Sequence, residues 1–490
     1  MQKKDAAVAT KPSQASRKRT HQESDTDTVQ PEVVVKKPRA QKTTALKRAI
    51  RSTTNNGIVI NTAPSRILKI FSVGEASEGE LGLGPDVKQA KRPKLNPYLS
   101  PESVGVVQIA VGGMHALALT RDNKIYSWGV NDTGALGRDT KWEGNLADAD
   151  APDSDSENAP MNPLESTPTP IPSNHFPDSV LFTQIAAGDS SSFAITDDGR
   201  VYGWGTFRDS EGNNGFMLDA NHQLVEHQRT PILIPTLDRI TQIACGADHA
   251  IALDNTGKVF AWGRGEQSQL GRRLLRRRNI KSLIPTRVVI GRKKAAAIGC
   301  GSYHSFAIDT EGDVWSWGLN SFGEAGFPVD PDDSSTHVIM VPGRVKSAIG
   351  KNIKSVDGGA HHSVGLTSGG ECIVWGRADV GQTGLDLSVL PEESVVRDFR
   401  GNIRIVANAT VVPGNSLDVV SVAAGSDHTV IISKSGIAYA CGFNATFQTG
   451  LGGGKDEIER VTAVECPSLK DVHLVSAGCG GQFSIFAADL

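Results

Sequence analysis

The chain has 490 residues, with 51 Lys and Arg against 54 Asp and Glu, which gives a net charge of −3. This length is enough for a large buried core, and the lack of an 18-residue apolar run excludes a membrane-spanning helix. No hydrophobic signal core begins the chain, and the 6 cysteines show neither a CxxC pair nor metal-ligand spacing, so we expect free thiols in a reducing compartment and no metal site.

Residues 1–60 form a basic segment with 13 Lys and Arg but only 5 Asp and Glu. The segment is rich in Ser, Thr, Gln and Ala and poor in aromatic residues, which predicts a disordered tail. Its two basic clusters are typical of nuclear import, and the whole tail can neutralise nucleic-acid phosphates. A tail without function and a mitochondrial transit peptide are the alternatives, the second weakened because no Arg-rich amphipathic helix is visible. The clusters are Arg17, Lys18 and Arg19, and Lys36, Lys37 and Arg39.

The rest of the chain, residues 61–490, repeats one phrase seven times: a β-branched residue, two small residues and a glycine, often followed by a histidine. Neighbouring copies, counted at the glycine, are 53 to 76 residues apart. Short apolar runs and hairpin pairs such as Asp198-Gly199 follow the glycines, and no long stretch has helical spacing. A period of this length built from strands predicts an all-β propeller. The glycines are Gly112, Gly188, Gly246, Gly301, Gly359, Gly425 and Gly478.

Most copies end in Trp-Gly, but the seventh stops at Phe486 without that ending. The missing piece lies in Lys69–Gly84, where Val73-Gly74 takes the Trp-Gly place. We therefore expect the N-terminal strands to complete the last blade, because a closed ring leaves no long unpaired edge. The sequence predicts a seven-bladed β-propeller over residues 61–490, closed by N-terminal strands that join the C-terminal blade.

The widest spacing, 76 residues, contains an acidic stretch. Trp142–Glu165 holds seven acidic residues and no basic one, with Pro, Ser and Ala among them. This composition predicts a disordered insertion at about residues 141–165, for which the sequence suggests no function.

Two loops interrupt the repeat with concentrated charge. Phe207–Gly215 continues from Trp204-Gly205 where other copies make a compact turn, and it carries three charged side chains among turn-forming Gly and Asn. Arg272–Lys281 holds six basic residues and no acid, which is too concentrated for routine solvation. A tolerated surface turn is the simpler interpretation of the first loop. Direct phosphate binding and a plain exposed loop are the alternatives for the second.

Three local motifs give the chain a specific resemblance. They are GGMHALAL with NDTGALGRDT in Gly112–Thr140, the stretch Ala187–Gly215, and GEQSQLGR in Gly265–Arg272. With the repeats over about residues 67–487, they resemble the regulator-of-chromosome-condensation family, in particular its fungal-type, chromatin-bound branch that exchanges guanine nucleotide on the small GTPase Ran. The repeat alone is a weak guide, because unrelated binding proteins use the same fold.

The resemblance implies a set of site residues. Asp189 and Asp248 match the family's acids that pair with the GTPase lysine released by the phosphates. His362 and His115 are the repeat histidines most expected to face the GTPase, although a structural hydrogen bond is the competing interpretation for each. The projecting loop corresponds to the family's β-wedge, which displaces GDP beside the phosphate-binding loop of the GTPase. Its residues are Arg208, Asp209, Ser210, Glu211, Gly212, Asn213 and Asn214.

The same resemblance assigns the basic loop to the acidic patch of the nucleosome's histone dimer, through Arg272, Arg273, Arg276, Arg277 and Arg278. We expect a nuclear, chromatin-associated exchange factor for a Ran-type GTPase that makes no covalent bond and needs no cofactor. It docks the GTPase on one propeller face and the nucleosome on the other, with the tail on DNA and importin. A non-catalytic scaffold of the same family is the alternative. A propeller hydrolase is disfavoured, because the sequence shows no nucleophile or metal constellation.

Overall fold

The computed structural model describes residues 59–143, 160–274, 281–413 and 417–490. Nearly all of the predicted basic tail, the middle of the predicted acidic insertion, and Arg276, Arg277 and Arg278 lie outside the described residues. No helix in the described ranges is long and apolar enough to cross a bilayer.

The described residues form seven antiparallel sheets, each one blade of a propeller. Blade 5 has a fifth, outermost strand, Val395–Arg397. From the inner strand outward, the first three blades are Val106–Val111, His115–Thr120, Ile125–Gly129 and Thr169–Pro170; Phe182–Ala187, Ser191–Thr196, Val201–Gly205 and Gln228–Leu233; and Ile240–Cys245, His249–Asp254, Val259–Gly263 and Thr286–Val288. Blades 4 to 6 are Ala295–Cys300, His304–Asp309, Val314–Leu319 and Val338–Arg344; Ile353–Gly358, His362–Thr367, Cys372–Arg377 and Ile403–Val411; and Val419–Ala424, His428–Ser433, Ala438–Phe443 and Glu457–Ala463. Blade 7 is Leu474–Cys479, Phe483–Asp489, Leu68–Glu75 and Gln89–Leu95.

Small elements occupy the loops. Two short hairpins pair Phe207–Arg208 with Asn214–Gly215, and Met217–Leu218 with Leu224–Val225. One short α-helix covers Pro163–Ser166. The 3₁₀ turns are Ser173–His175, Ser334–Thr336, Lys346–Ala348, Leu387–Val389, Glu392–Ser394 and Pro467–Leu469.

The ring closes in blade 7, where the two ends of the propeller sequence pair. Leu68–Glu75 runs antiparallel to Phe483–Asp489, with Phe71 opposite Phe486. The inner strands of blades 7 and 1 also contact each other. The predicted seven-bladed propeller, closed by its N-terminal strands, is confirmed.

The strand connections determine what lies at each end of the ring. First strands run to the repeat glycines, second strands return to the hairpin turns, and third strands run back to Trp-Gly. The repeat glycines and Trp-Gly therefore share one end, here termed the Trp-Gly end. Loops between third and fourth strands, including Phe207–Gly215 and Arg272–Lys281, leave the propeller at this end.

Neighbouring blades are joined by a repeated buried hydrogen bond. The first residue of a second strand is often His, and its Nε2 lies 2.7 to 2.9 Å from a hydroxyl on the next blade. At three of the five pairs, the hydroxyl and a buried Trp share one carbonyl; for example, Ser192 Oγ and Trp204 Nε1 both donate to Ala135 O at 2.8 Å. The five pairs are His115–Ser192, His249–Ser305, His304–Ser363, His362–Thr429 and His428–Ser484.

Two blade junctions lack the histidine, and they lack the hydroxyl as well. At the junction of blades 2 and 3, Ser191 stands in the histidine position and Ala250 in the hydroxyl position. At the junction of blades 7 and 1, the residues are Phe483 and Ala116. A buried histidine without its hydroxyl partner would be costly, which accounts for the paired absence, although Ser191 Oγ is itself buried without a hydrogen bond.

The last junction also corrects the repeat register of the seventh copy. Gly480 N donates to Phe483 O at 2.9 Å, as Gly112 N donates to His115 O at 2.9 Å in the first copy. The seventh repeat glycine is therefore Gly480, and the prediction of Gly478 is wrong by two residues. A run of Gly-Cys-Gly-Gly offers several candidate glycines, and only the hydrogen bond selects one.

A segment that the repeat does not predict precedes the first strand. Asn61 Nδ2 donates to Thr196 O at 2.9 Å and to Ile240 O at 2.8 Å, so it joins blades 2 and 3 at the end opposite Trp-Gly. Ile60 N donates to Asp197 O at 2.9 Å. Since Leu68 begins its strand in blade 7, the intervening residues cross this opposite end of the ring. We term residues 60–67 the strap.

Candidate functional site

Phe207–Gly215 folds into a short hairpin that projects from the Trp-Gly end, here termed the wedge hairpin. Phe207 is opposite Gly215 and Arg208 is opposite Asn214. The tip is exposed, and its Gly212 has a φ of +84°, a left-handed conformation that favours glycine. The predicted projecting loop is thus present as a paired hairpin.

The hairpin turn is held by the Asp209 carboxylate. Asp209 Oδ1 accepts the N–H of Asn213 at 2.7 Å and of Glu211 at 3.1 Å. Asn213 Nδ2 donates to Asp209 Oδ2 at 3.2 Å. Asp209 therefore fixes the shape of the tip, and its carboxylate is largely occupied by the hairpin itself.

Aromatic rings root the wedge hairpin in the propeller. Phe207 and Phe216 stack with ring centroids 5.8 Å apart, and Phe193 stacks on both. The Trp262 ring meets Phe193 edge to face at 5.5 Å. This cluster fills the junction of blades 2 and 3, where the histidine bond is absent, so the exception in the repeat coincides with the base of the hairpin.

Arg264 ties the wedge hairpin to blade 3. Its side chain is only 12% exposed. Arg264 Nη2 donates to Asn213 O at 2.7 Å and Nε donates to Phe207 O at 3.4 Å, while Nη1 lies 3.7 Å from Asp209 Oδ2. One guanidinium thus contacts the first strand and the turn of the hairpin.

Two further groups hold the hairpin from the same blade. Glu266 Oε2 accepts the N–H of Ser210 at 2.9 Å. Asp248 Oδ1 accepts the N–H of Arg208 at 2.6 Å. Blade 3 therefore binds the hairpin at its base, at its turn and at its tip, which pre-organises the hairpin before any partner arrives.

Asp248 and Asp189 form an acidic pair beside the hairpin. Burial raises the pKa of Asp248 to about 6, and the negative charge of Asp189 adds to that increase. Asp189 lies at the mouth of the central channel and is exposed to solvent. Desolvation by the surrounding protein atoms raises its pKa, and the positive charge of Arg208 opposes that increase. Two carboxylates at this end therefore carry negative charge at a cost that a cationic partner group relieves.

The hairpin and Asp248 line a cavity of about 230 Å³. Tyr303 and His361 line the same cavity. Burial and then the charges of Asp189 and Asp248 raise the pKa of Tyr303. His361 Nδ1 lies 3.3 Å from Glu324 Oε1, and its side chain is 29% exposed.

The structure places His115 and His362 in the interior, apart from this surface. Each is 0% exposed, and each uses Nε2 in the bond between blades. Burial lowers the pKa of His115 to about 4 and that of His362 to about 3, so both are neutral at pH 7. This geometry favours their structural interpretation. Two other histidines lie beside the wedge hairpin: His361 lines the cavity, and His227 Nε2 lies 3.5 Å from Asn214 Nδ2.

The described part of the basic loop adjoins the wedge hairpin. Arg272 and Arg273 line a cavity of about 880 Å³ together with Ser210 and Glu211. The prediction that this loop lies on the face opposite the wedge is therefore wrong for its described residues, because a loop between third and fourth strands leaves at the Trp-Gly end.

The two described arginines of the loop differ in their surroundings. Arg272 donates to Ala261 O at 2.8 Å and to Ser282 O at 3.4 Å, and burial lowers its pKa to about 10. Arg138 makes the same kind of contact in blade 1, to Ser127 O at 2.8 Å. Arg272 thus anchors the loop, whereas Arg273 is exposed.

Sequence reasoning missed four residues of this site: Arg264, Glu266, Tyr303 and His361. A signal exists for Arg264, since it directly follows Trp262-Gly263 and precedes the GEQSQLGR motif. Tyr303 and His361 stand directly before a repeat histidine, the same position as Asp248, so the repeat places all three at the Trp-Gly end. The pattern within one copy does not show that they line the cavity beside the wedge hairpin.

The chain is similar to known proteins over most of its length. Residues 69–486 match a family model described as an RCC1-like domain. The guanine nucleotide exchange factor SRM1 of Saccharomyces cerevisiae is 41% identical over 427 residues, covering 85% of this chain and 86% of that protein. Protein pim1 of Schizosaccharomyces pombe is 39% identical, covering 86% of this chain and 75% of that protein.

Two solved structures are similar over most of the chain. Prp20p from Saccharomyces cerevisiae, described with its binding properties to Gsp1p and histones, has a TM-score of 0.78 and 38% identity, covering 88% of this chain and 93% of that one. Yeast RCC1 (Prp20) bound to Kap60 has a TM-score of 0.79 and 37% identity, covering 92% and 96%.

Proposed function

The chain belongs to the RCC1 family, and from that premise we propose that it is a guanine nucleotide exchange factor for a Ran-type small GTPase. The observation that carries the proposal is the wedge hairpin, held in one shape by blade 3 beside Asp248 and Asp189. An exchange factor needs such a rigid projection next to acidic groups at the surface where the GTPase docks.

The energetics explain why a rigid hairpin suits this task. A GTPase that binds GDP with a picomolar Kd holds it by about 16 kcal/mol. The factor must bind the nucleotide-free GTPase far more tightly than the loaded one, and nucleotide then weakens the factor by the same ratio. A hairpin that displaces the phosphate-binding loop supplies this difference only if it does not bend, and no covalent bond is made.

The acidic pair supplies the second part of the mechanism. When GDP leaves, a phosphate-binding lysine of the GTPase loses its anionic partner. Asp248 and Asp189 can replace the phosphates as that partner, and the pairing lowers the cost of their own ionisation. This contact forms only as the nucleotide departs, so it favours the released state over the loaded one.

The test is the release of labelled GDP from a purified Ran-type GTPase. We expect wild type to accelerate release, and Asp248→Ala or replacement of residues 208–214 by a two-residue turn to lower the rate at least tenfold. Lys434→Ala, an exposed change at the opposite end, is the matched control and retains full rate. No acceleration by wild type would instead support the scaffold alternative. Full activity in both site variants would contradict the site assignment alone.

For chromatin, we propose that the full chain is nuclear and contacts the nucleosome through the basic tail and loop. Two observations support this: Arg273, at the start of the basic loop, is exposed, and residues 1–60 carry 13 Lys and Arg against 5 Asp and Glu. Replacing Arg276, Arg277 and Arg278 by Ala is expected to weaken nucleosome pulldown at least tenfold and leave exchange in solution intact. Pulldown equal to wild type would contradict this role of the loop.

For the tail, we propose contacts with DNA and with importin. Removal of residues 1–58 is expected to reduce the salt dependence of DNA binding by about 0.9 log units for each phosphate that the tail neutralises. Replacing Lys36, Lys37 and Arg39 by Ala is expected to abolish capture by an importin and nuclear accumulation. An unchanged salt slope, or unchanged import, would remove the corresponding role.

A further inference from the structure

A second loop of the chain has the same turn as the wedge hairpin. Asp398–Asn402 reads DFRGN where Asp209–Asn213 reads DSEGN. Asp398 Oδ1 accepts the N–H of Arg400 at 2.9 Å and of Asn402 at 2.8 Å, and Asn402 Nδ2 donates to Asp398 Oδ2 at 3.2 Å. Gly401 has a φ of +84°, the value found at Gly212. The two loops are therefore built alike.

The second loop also projects from the Trp-Gly end. It joins Val395–Arg397 to Ile403–Val411, and this hairpin follows the third strand of blade 5 as the wedge hairpin follows that of blade 2. We term residues 395–405 the blade-5 finger. The register places Ile405 opposite Arg377, so the turn lies beyond the end of the Cys372–Arg377 strand.

One partner is large enough to reach both projections. Seven sheets packed about 10 Å apart give a mid-blade ring about 22 Å across. A domain of about 200 residues has a radius of gyration of about 16 Å, which corresponds to a diameter of about 40 Å. A GTPase seated on the wedge hairpin therefore extends over blade 5.

The finger presents an aromatic ring to solvent. Phe399 is 92% exposed, the largest exposure among the large apolar side chains of the described residues. The Arg400 guanidinium lies 5.1 Å from the centre of the Phe399 ring. Exposed aromatic and Arg side chains at rigid positions are the residues that most often carry binding energy when a partner covers them.

The finger is rigid below its tip. Arg397 donates to both Glu392 carboxylate oxygens, at 3.1 and 2.7 Å, and its Nη1 donates to Gly401 O at 2.8 Å. The turn therefore loses little conformational entropy when Phe399 is buried by a partner. Burial inside the propeller does not explain this ring, since Phe399 is 92% exposed.

We propose that the blade-5 finger is a second contact for the same GTPase, with Phe399 entering an apolar pocket of the partner and Arg400 facing an acidic group beside it. The inference rests on the proposed function, because the wedge hairpin identifies the occupied end. The finger lies on the other side of the ring from the wedge hairpin, so it holds loaded and empty GTPase equally. It contributes affinity and leaves the release step unchanged.

The test is a steady-state exchange assay at several GTPase concentrations with full-length Phe399→Ala. Loss of equal binding in both states raises KM and leaves kcat unchanged. We expect KM to rise about tenfold with kcat within twofold of wild type, and Phe399→Leu to recover part of the affinity. Ile437→Ala, another exposed apolar side chain but at the opposite end, is the matched control and leaves KM unchanged.

Each outcome decides between partners. An inactive wild type would refute the proposed function and this inference with it. An active wild type with unchanged KM for Phe399→Ala would refute only the finger. Unchanged KM with weakened nucleosome pulldown, or with altered self-association on size-exclusion chromatography, would assign the ring to a different partner and equally refute the GTPase contact.

Discussion

Arg264 is the most direct test of the idea that the wedge hairpin works by being rigid. Its guanidinium contacts Asn213 O, Phe207 O and Asp209 Oδ2 from blade 3. Arg264→Met keeps most of the apolar stem and removes all three polar contacts. The variant therefore loosens the hairpin without removing any residue proposed to touch the GTPase.

The size of the effect follows from these contacts. A hydrogen bond to a charged group contributes about 1.5 to 3 kcal/mol, and only the 2.7 Å bond to Asn213 O is short. We therefore assign Arg264 about 2 kcal/mol of wedge-hairpin stability. Since about 1.4 kcal/mol is a factor of ten, the ratio of competent to displaced hairpin falls about 30-fold, and kcat/KM falls by at most that factor.

The assay is stopped-flow release of fluorescent GDP, with Arg344→Met as the matched control. Arg344 pairs with Asp313 near the opposite end of blade 4, so its loss also breaks an arginine contact but leaves the hairpin untouched. We expect the control to retain full activity and both variants to keep the wild-type fold by circular dichroism. Wild-type kcat/KM for Arg264→Met, or an equal loss in the control, would refute the role of wedge rigidity.

Three further predictions concern the acidic pair, the blade junctions and the strap. Asp248→Asn is expected to abolish exchange but to stabilise the protein by about 1 to 3 kcal/mol at pH 7.5. The gain arises because the folded pKa of Asp248, about 6, lies above the ordinary value of 3.8, so its charge is unfavourable in the folded state. In urea titrations the gain fades as the pH falls from 6 to 4, because wild-type Asp248 becomes protonated. His115→Ala and His362→Ala are expected to lower the free energy of unfolding by about 2 to 4 kcal/mol and leave exchange per folded molecule unchanged. A loss of exchange without a loss of stability would instead show that these histidines contact the GTPase. Asn61→Ala is expected to speed proteolysis within residues 60–67 without changing exchange, and equal cleavage rates would contradict the role of the strap.

The repeat made most of the fold predictable from the sequence. Trp-Gly, the repeat glycine and the hairpin turns depend on neighbours in the chain, so their spacing predicted seven blades and the closure by Leu68–Glu75. The break in the repeat at Phe207–Gly215 indicated only a longer, charged loop, and the resemblance to the family predicted that this loop projects as a hairpin. The register of the seventh copy failed because Gly478 and Gly480 satisfy the same local pattern.

The sequence by itself determined the family, the blade count and the position of the wedge hairpin, since each depends on residues that are close together in the chain. Tertiary structure alone decided which side chains hold that hairpin and which face it shares. Arg264, Glu266 and His361 reach it from other blades, and His115 and His362 turn inward to hydroxyls on the next blade. The physical reason is that these contacts join side chains of different copies, and the pattern within one copy does not show which side chains of a neighbouring copy come within reach.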